Sequence, residues 1–292
     1  MFSTGLRLDT VLNDVNVVAY VNDSRNDERR WGDYDGNSFN DIEVVMIENK
    51  SEETGAGLEI SSDNDGPLSW IVGMNYFDQE VNYDFDLRIG AIGGGNVPAS
   101  TGWGTYTLDT YGIFASFDYE MSDKWTLSIG GRYTNEEKDV FWRASSYPEY
   151  AQNERLTLAA ALLPNKAAKE WSSFDPKVTL TYNLENSGII YATYSTGFKS
   201  GGYNAPTRQG GEALEPEEIM MIELGYKADL TDRLRLTSSF FMYDYEDLQV
   251  TRAAVGTGTV TTENAADSEV MGADFDLTWL VSDSLTLRFG GE

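Results

Sequence analysis

The 292-residue sequence predicts an all-β fold, an antiparallel up-and-down transmembrane β-barrel of which about 12 strands can be counted. Three observations lead there. Residues alternate with period two along most of the chain, apolar or aromatic on one side and small, polar or charged on the other. Tight turns and long connections take turns, as if each sat at its own end of the sheet. One side of every strand from residue 109 onward can be written without a charge, although 24% of the chain is charged.

The turn signals are Asn13-Asp14, Asp63-Asn-Asp-Gly66, Ser122-Asp-Lys124, Glu185-Asn-Ser187, Leu230-Thr-Asp232 and Ser282-Asp283. Each lies between two alternating runs and reads as a hairpin turn. The hairpins are then 4–12 with 15–22, 54–62 with 67–78, 108–120 with 124–136, 173–183 with 188–200, 218–229 with 233–246, and 267–280 with 284–291. Between them run longer stretches at 23–53, 79–107, 137–172, 201–217 and 247–266, expected to be loops. A soluble sandwich mixes connection lengths at both ends. Short periplasmic turns with long extracellular loops are the outer-membrane arrangement.

The uncharged side includes Tyr111, Ile113, Ala115, Phe117 and Tyr119, then Trp125, Leu127 and Ile129, and later Ile222, Leu224, Phe240, Phe275 and Phe289. At the chain's charged fraction, about nine of its roughly 36 positions would be charged by chance. The opposite side carries Asp118, Arg132, Glu223, Lys227, Arg235, Asp274, Asp276 and Arg288. A dry sandwich core would give the same clean side. The aromatics discriminate further: Trp70, Tyr119, Trp125, Tyr182, Tyr226 and Trp279 all fall within a few residues of a short turn, as a girdle at one membrane interface would.

Composition removes several function classes. Twenty-one Lys plus Arg against 48 Asp plus Glu leave a net charge of -27, which repels nucleic acid. No Cys and no His are present, so disulfides, thiolate catalysis, the Ser-His-Asp triad and His-ligated haem are excluded. Mean hydropathy is -0.39 and no run of about 18 apolar residues exists, so no membrane helix is expected. Met1 to Gly5 carries no basic and apolar secretory pattern, which fits either a protein that is not exported or a chain that is incomplete.

The ordered pieces Tyr191-Ala-Thr-Tyr-Ser-Thr-Gly-Phe-Lys-Ser-Gly-Gly-Tyr-Asn204, Glu215-Pro-Glu217, Ile222-Glu-Leu-Gly-Tyr-Lys227 and Asp247-Leu-Gln249 resemble the β-barrel of TonB-dependent outer-membrane receptors of the iron-complex type. Leu58 to Ser62, Trp70 to Phe77, Gly112 to Tyr119, Leu127 to Thr134, and Asn264-Ala-Ala with Gly272 to Asp276 extend the resemblance over about residues 54–292. It implies an outer-membrane transporter that takes up a scarce ligand, most often a ferric siderophore, with the TonB complex and outer-membrane lipid as partners. It implies no cofactor and no chemistry on the ligand. Family members also carry a plug domain and a TonB box, neither recognisable here, and end on an aromatic where this chain reads Gly290-Gly291-Glu292. Receptors of this family have about 22 strands, so the resemblance implies that residues 1–292 are one barrel domain, a partial barrel of about 12 strands and a fragment without plug or C-terminal strands. A genuine small barrel of about twelve strands is the structural alternative. A passive porin-like or autotransporter-like barrel and a secreted all-β carbohydrate-binding protein remain the alternatives.

Ligand-binding candidates are aromatics and cations of the long connections: Trp142, Tyr147, Tyr150, Tyr203, Arg208 and Arg252. Lys199 ends one strand and Glu217 begins the next on the same side, and the two are expected to form a structural pair facing the lumen. Glycines such as Gly197 and Gly225 either flatten the lumen wall for a plug or loop, or ease strand curvature. The acidic stretch from Asp23 to Asp41 has oxygen ligands enough for Ca²⁺, yet Gly36 and Glu43 fall at the wrong offsets for an EF-hand, so a solvated loop is expected. Asp244 and Glu246 share a strand side opposite to Asp247, the geometry of rim residues rather than a glycosidase pair. Gly93-Gly-Gly95 and Gly256-Thr-Gly258 precede no helix and do not make a phosphate loop.

Overall fold

In the computed structural model the described residues are all except 34–41, 64–65, 92–94, 147–164, 186–187, 205–212, 254–259 and 266. They form strands in chain order: β1 (Phe2–Leu12), β2 (Val15–Asp33), β3 (Ile42–Ser62), β4 (Leu68–Ala91), β5 (Gly95–Ser122), β6 (Trp125–Ser146) and β7 (Asn165–Asn183). Then come β8 (Ile189–Lys199), β9 (Glu217–Thr231), β10 (Leu234–Glu246), β11 (Gln249–Ala253), β12 (Val260–Asn264), β13 (Ser268–Ser282) and β14 (Leu285–Gly291). Twelve of them make a single sheet in sequence order, with β10 next to β13, while β11 and β12 form a separate pair. Every pairing among the described residues is antiparallel. The sheet is open, with β1 and β14 at its edges.

Two of the expected loops are largely strand, and a third is strand at both of its ends. β2 and β3 run on into 23–53, β4 and β5 into 79–107, and β6 and β7 into 137–172. The reason is visible in register. Hydrophobic alternation marks a strand only where one side meets an apolar medium, whereas the backbone ladder needs no such contrast. Beyond Tyr76↔Tyr111 the next pairs on the same side are Asp78↔Asp109 and Glu80↔Thr107, so the outer side turns polar while pairing continues, and the apolar residues that follow, Leu108, Val81 and Tyr106, lie on the other side. β5 is 28 residues long, yet its apolar side runs only from Tyr111 to Tyr119, about the 9–11 residues that a tilted strand needs to cross hydrocarbon. The rest of β5 stands beyond that layer. A further correction concerns 247–266, where β11 and β12 form a side hairpin.

The apolar side is exposed. Ile113 is 56% accessible and Phe240 55%, Leu224 and Phe289 are comparably open, and no second sheet covers them among the described residues. A sandwich would bury this side. Opposite ends of it carry aromatics. Trp125 packs on Tyr182 near the turns at 4.7 Å between ring centroids. At the far end Tyr76, Tyr111, Tyr133 and Phe174 lie side by side on β4 to β7, a second row that the turn-based reading of the sequence does not find.

On the polar side, aromatic rings cover glycines directly across the ladder. A Cβ at Gly57, Gly73, Gly104, Gly225 or Gly272 would overlap the rings of Tyr20, Phe114, Tyr83, Tyr191 and Phe241 respectively, each its register partner. Gly225 is thus neither a bare patch nor only a point of curvature. It is the seat of the Tyr191 ring, and such pairs pin register as well as fill space.

Candidate functional site

Three of the four most deeply buried side chains among the described residues gather at the loop end of the polar side. Val140, Trp142 and Trp171 are all at least 96% buried, Trp171 being 4% accessible, and they stand on strand extensions of β6 and β7. They bury because neighbouring side chains on this side crowd over one another and over the chain leaving β8. Trp171 stands opposite Glu136, and Lys169 opposite Lys138. Both ammonium groups lie over the indole, Lys138 Nζ at 5.5 Å and Lys169 Nζ at 5.4 Å from the ring centroid. Two cations across a ladder repel, and each is balanced by its own carboxylate: Lys138 by Glu136 at 3.3 Å and Lys169 by Glu215 at 2.8 Å.

The segment after β8 folds onto this indole. Lys138 Nζ donates to the Gly201 carbonyl at 2.7 Å and to Ser200 Oγ, and Ser200 donates in turn to Glu136. A Cβ at Gly201 would overlap both the Trp171 Nε1 and the Leu214 carbonyl oxygen, so only glycine fits. Tyr203 meets Trp171 edge-on at 6.0 Å, and burial, then the charge of Asp139, raises its hydroxyl pKa. Close by on β5, burial and then Glu136 push the Tyr106 hydroxyl up to about 12. The Trp171 indole N–H has no partner among the described residues, a state that costs about 1–3 kcal/mol for a buried donor.

Three more segments join through side-chain amides. Asn204 exchanges two hydrogen bonds with the backbone of Thr262, both at 2.7 Å, and Asn264 does the same with Glu215, both at 2.9 Å. Asn264 also donates to the Asp247 carbonyl at 2.8 Å. Gln249 donates from its side chain to the carbonyls of Ser200 and Glu215, and from its backbone to Glu217. An amide facing a peptide group in this way copies a ladder bond, and it ties the β11–β12 hairpin to both ends of the β8–β9 connection.

The candidates from the long connections divide accordingly. Tyr203 lies in this cluster. Trp142 is packed inside the wall of β6, not offered on a loop. Arg252 lies on β11 and pairs with Glu263 across the hairpin. Tyr147, Tyr150 and Arg208 lie outside the described residues. Lys199 and Glu217 form the last pair of the β8–β9 register, with Nζ and Oε2 3.9 Å apart. Of the acidic stretch, Asp23 to Asp33 belongs to β2, and no group of three or more metal-ligating side chains occurs among the described residues.

Lys138, Lys169 and Trp171 escape sequence reading because 137–172 carries no lipid-facing contrast and so reads as loop. The alternation of Glu136, Lys138, Val140 and Trp142 is the one available signal. Nor does the sequence show that Asn204, Glu215, Asp247-Leu-Gln249 and Asn264, each in a separate motif piece, meet at one place.

The family model described as "TonB dependent receptor-like, beta-barrel" matches residues 1–291. The chain belongs to this family. Such barrels sit in the outer membrane of Gram-negative bacteria, so the exposed apolar side is the lipid face and the polar side lines the lumen. A probable TonB-dependent siderophore receptor, PiuA of Acinetobacter baumannii, is 25% identical over 192 residues, 63% of this chain and 23% of that protein. Among solved structures, the ferric yersiniabactin uptake receptor FyuA of Yersinia pestis superposes with a TM-score of 0.77 at 14% identity, covering 99% of this chain and 41% of that one. The PiuA siderophore receptor structure gives 0.66 at 18% identity, with 99% and 46% covered. A copper transporter, OprC, gives 0.68 at 12% identity, with 99% and 46% covered. These likenesses concern the fold, and the chain spans less than half the length of each of the structures.

Proposed function

We propose that the chain is a barrel portion of a TonB-dependent receptor that takes up a scarce ligand, a ferric siderophore, without altering it chemically. One observation carries the reading: twelve strands superpose on receptor barrels over 99% of the chain while presenting an uncharged lipid face and a structured lumen face at the loop end. The siderophore receptors among the relatives support the ligand class. In this reading the loop-end cluster lies at the ligand's entrance and Lys199–Glu217 braces the wall beside it. The plug, the TonB box and the rest of the wall come from polypeptide outside these 292 residues, and the TonB complex acts through that plug.

Uptake of radioactive iron supplied as siderophore chelates, by cells expressing the whole receptor, tests the proposal. Iron entry is expected to require both the receptor and TonB. Equal entry in a strain lacking TonB would instead make this a passive pore.

A further inference from the structure

Across β8, β9, β10 and β13 the lumen side loses its charges just below the Lys199–Glu217 pair. The next lumen row down reads Gly197, Ile219, Tyr245 and Ser268, and the row after it Ser195, Met221, Tyr243 and Val270. Charge returns one row lower with Glu223, the register partner of Phe241. A barrel lumen is ordinarily polar, so an uncharged strip is out of place against water. The strip is nevertheless accessible: Val270 is 43% exposed, and Ile219, Met221, Tyr243 and Tyr245 are half-buried. Phe241, Tyr243 and Tyr245 follow one another along β10 with 5.1 and 6.5 Å between ring centroids.

Beside the strip, β8 offers only small side chains. A Cβ at Gly197 would meet nothing but Ile219, at 3.4 Å, and Ser195 is the next lumen residue down the strand. The Ser195 row continues on the other side to Lys177 of β7. A trough floored by Gly197 and Ser195, roughly 10 Å between the flanking backbones, thus has an apolar wall on one side and a cation on the other. Lys177 is exposed and has no carboxylate within ion-pair distance among the described residues, whereas Lys138, Lys169 and Lys199 are each paired.

We propose that this trough holds the ligand by two unlike ends, an oxyanion of the chelate on Lys177 and an aryl or branched alkyl group against Ile219, Met221 and Tyr243. The inference rests on the uptake reading and narrows its ligand to an amphiphilic anion. Charge complementarity selects that occupant. A compact polar anion would leave the apolar wall wet, and a wholly apolar molecule would leave the ammonium without an anion. The tilted rings and the flexible Met221 side chain accept apolar groups of different shape, so selection is for bulk beside a negative charge.

The ferric complexes of catechol and 4-tert-butylcatechol present the same oxyanions and differ in one apolar group. Their binding to the whole receptor in detergent micelles is measured by quenching of intrinsic fluorescence, and heat-modifiable gel mobility checks that each barrel is folded. The unaltered receptor is expected to bind the tert-butyl complex about tenfold more tightly. Met221→Ser and Tyr243→Ser are expected to erase that preference, Tyr243→Phe to keep it, and Lys177→Gln to weaken both complexes about tenfold with the preference intact. Equal affinity of the unaltered receptor for the two complexes, a preference that survives both serine variants, or a Lys177→Gln protein that binds as tightly as the unaltered one overturns the proposal. Serine variants that melt earlier with affinities unchanged overturn it too, and give the strip to the plug. The unaltered receptor and Lys177→Gln decide the matter even where a serine variant fails to assemble. If the affinities follow the expected order but iron entry does not need TonB, the trough stands and the uptake reading falls. If entry needs TonB but the variants bind both complexes alike, the uptake reading stands and the trough falls.

Discussion

The lipid-crossing part of the wall and its loop end are built from the same strands but held by different means. In the crossing part, the face of Ile113, Leu224, Phe240 and Phe275 is given to lipid, and the ladder is supported on the lumen side by aromatic–glycine seats and by short polar contacts such as Arg132 to Asn75 and Ser239 to Asp274. At the loop end the ladder continues in β2 to β7, and charge pairs and amide clamps take over where β8 and β10 stop. The membrane, not the hydrogen-bonding pattern, thus draws the boundary between the two regions. A charge should therefore be severe on one side of that boundary and mild on the other.

The largest expected effect follows directly. Ile113→Arg places a cation within the apolar layer of β5 and should cost about 2–4 kcal/mol, whereas Thr107→Arg, on the same face two register steps beyond Tyr111, should cost about 0–1 kcal/mol. Denaturant unfolding of the whole receptor in phospholipid vesicles measures both. Equal costs would move the membrane boundary away from the Tyr76–Tyr111–Tyr133 row.

The second contrast lies within the lumen face. Gly225→Val would drive a side chain into the Tyr191 ring and should cost about 1–3 kcal/mol, as overpacking does. A Cβ at Gly202 meets nothing within 4 Å, so Gly202→Ala should stay within about 0.5 kcal/mol. If the two glycines proved equally tolerant, the ring seats would be ornament and the ladder alone would fix register.

How much of this is legible in the sequence depends on which contrast a residue reports. Where one side meets lipid, the residues alternate strongly, and the hairpin around Ser122-Asp-Lys124 and the uncharged face from Tyr111 to Tyr119 can be read from the sequence alone. Above Tyr111 the outer side is polar at Asp109, Thr107 and Thr105 while Leu108 and Tyr106 face the other way, so the uncharged lipid-facing side that marks the crossing strands is missing there and strand looks like loop. The candidate site suffers most from this. Tyr203 stands out by residue type, while Trp171 and Lys169 lie hidden on a stretch without lipid contact. The Asn204 and Asn264 clamps join residues 58 and 49 positions away, a separation no local pattern encodes.

The smallest expected effect compares the two faces at one level, just beyond the apolar layer. Glu53 and Gln79 are register partners on the lumen side, and Thr54 and Asp78 are partners on the outer side. Hydrogen bonds from Gln79, then Ser51, hold the Glu53 carboxyl below its ordinary 4.5. Burial, then the charges of Asp109 and Glu80, raise Asp78 above its ordinary 3.8. The linkage signs are opposite. Because its folded pKa is depressed, Glu53 contributes stability that is present above about pH 4.5 and lost as pH falls through the lower folded value. Asp78, with a raised folded pKa, imposes a penalty that is present above that value and relieved as pH falls toward 3.8. Asp78→Asn should thus stabilise the barrel slightly at neutral pH and lose that advantage on acidification, while Gln79→Ala should destabilise at neutral pH and become neutral in acid. Carboxyl titrations by ¹³C NMR and melting from about pH 7 to 3 check both. Titration of the two groups in the same direction would show that the lumen and outer faces share one environment at this level, and that the face distinction ends where the lipid does.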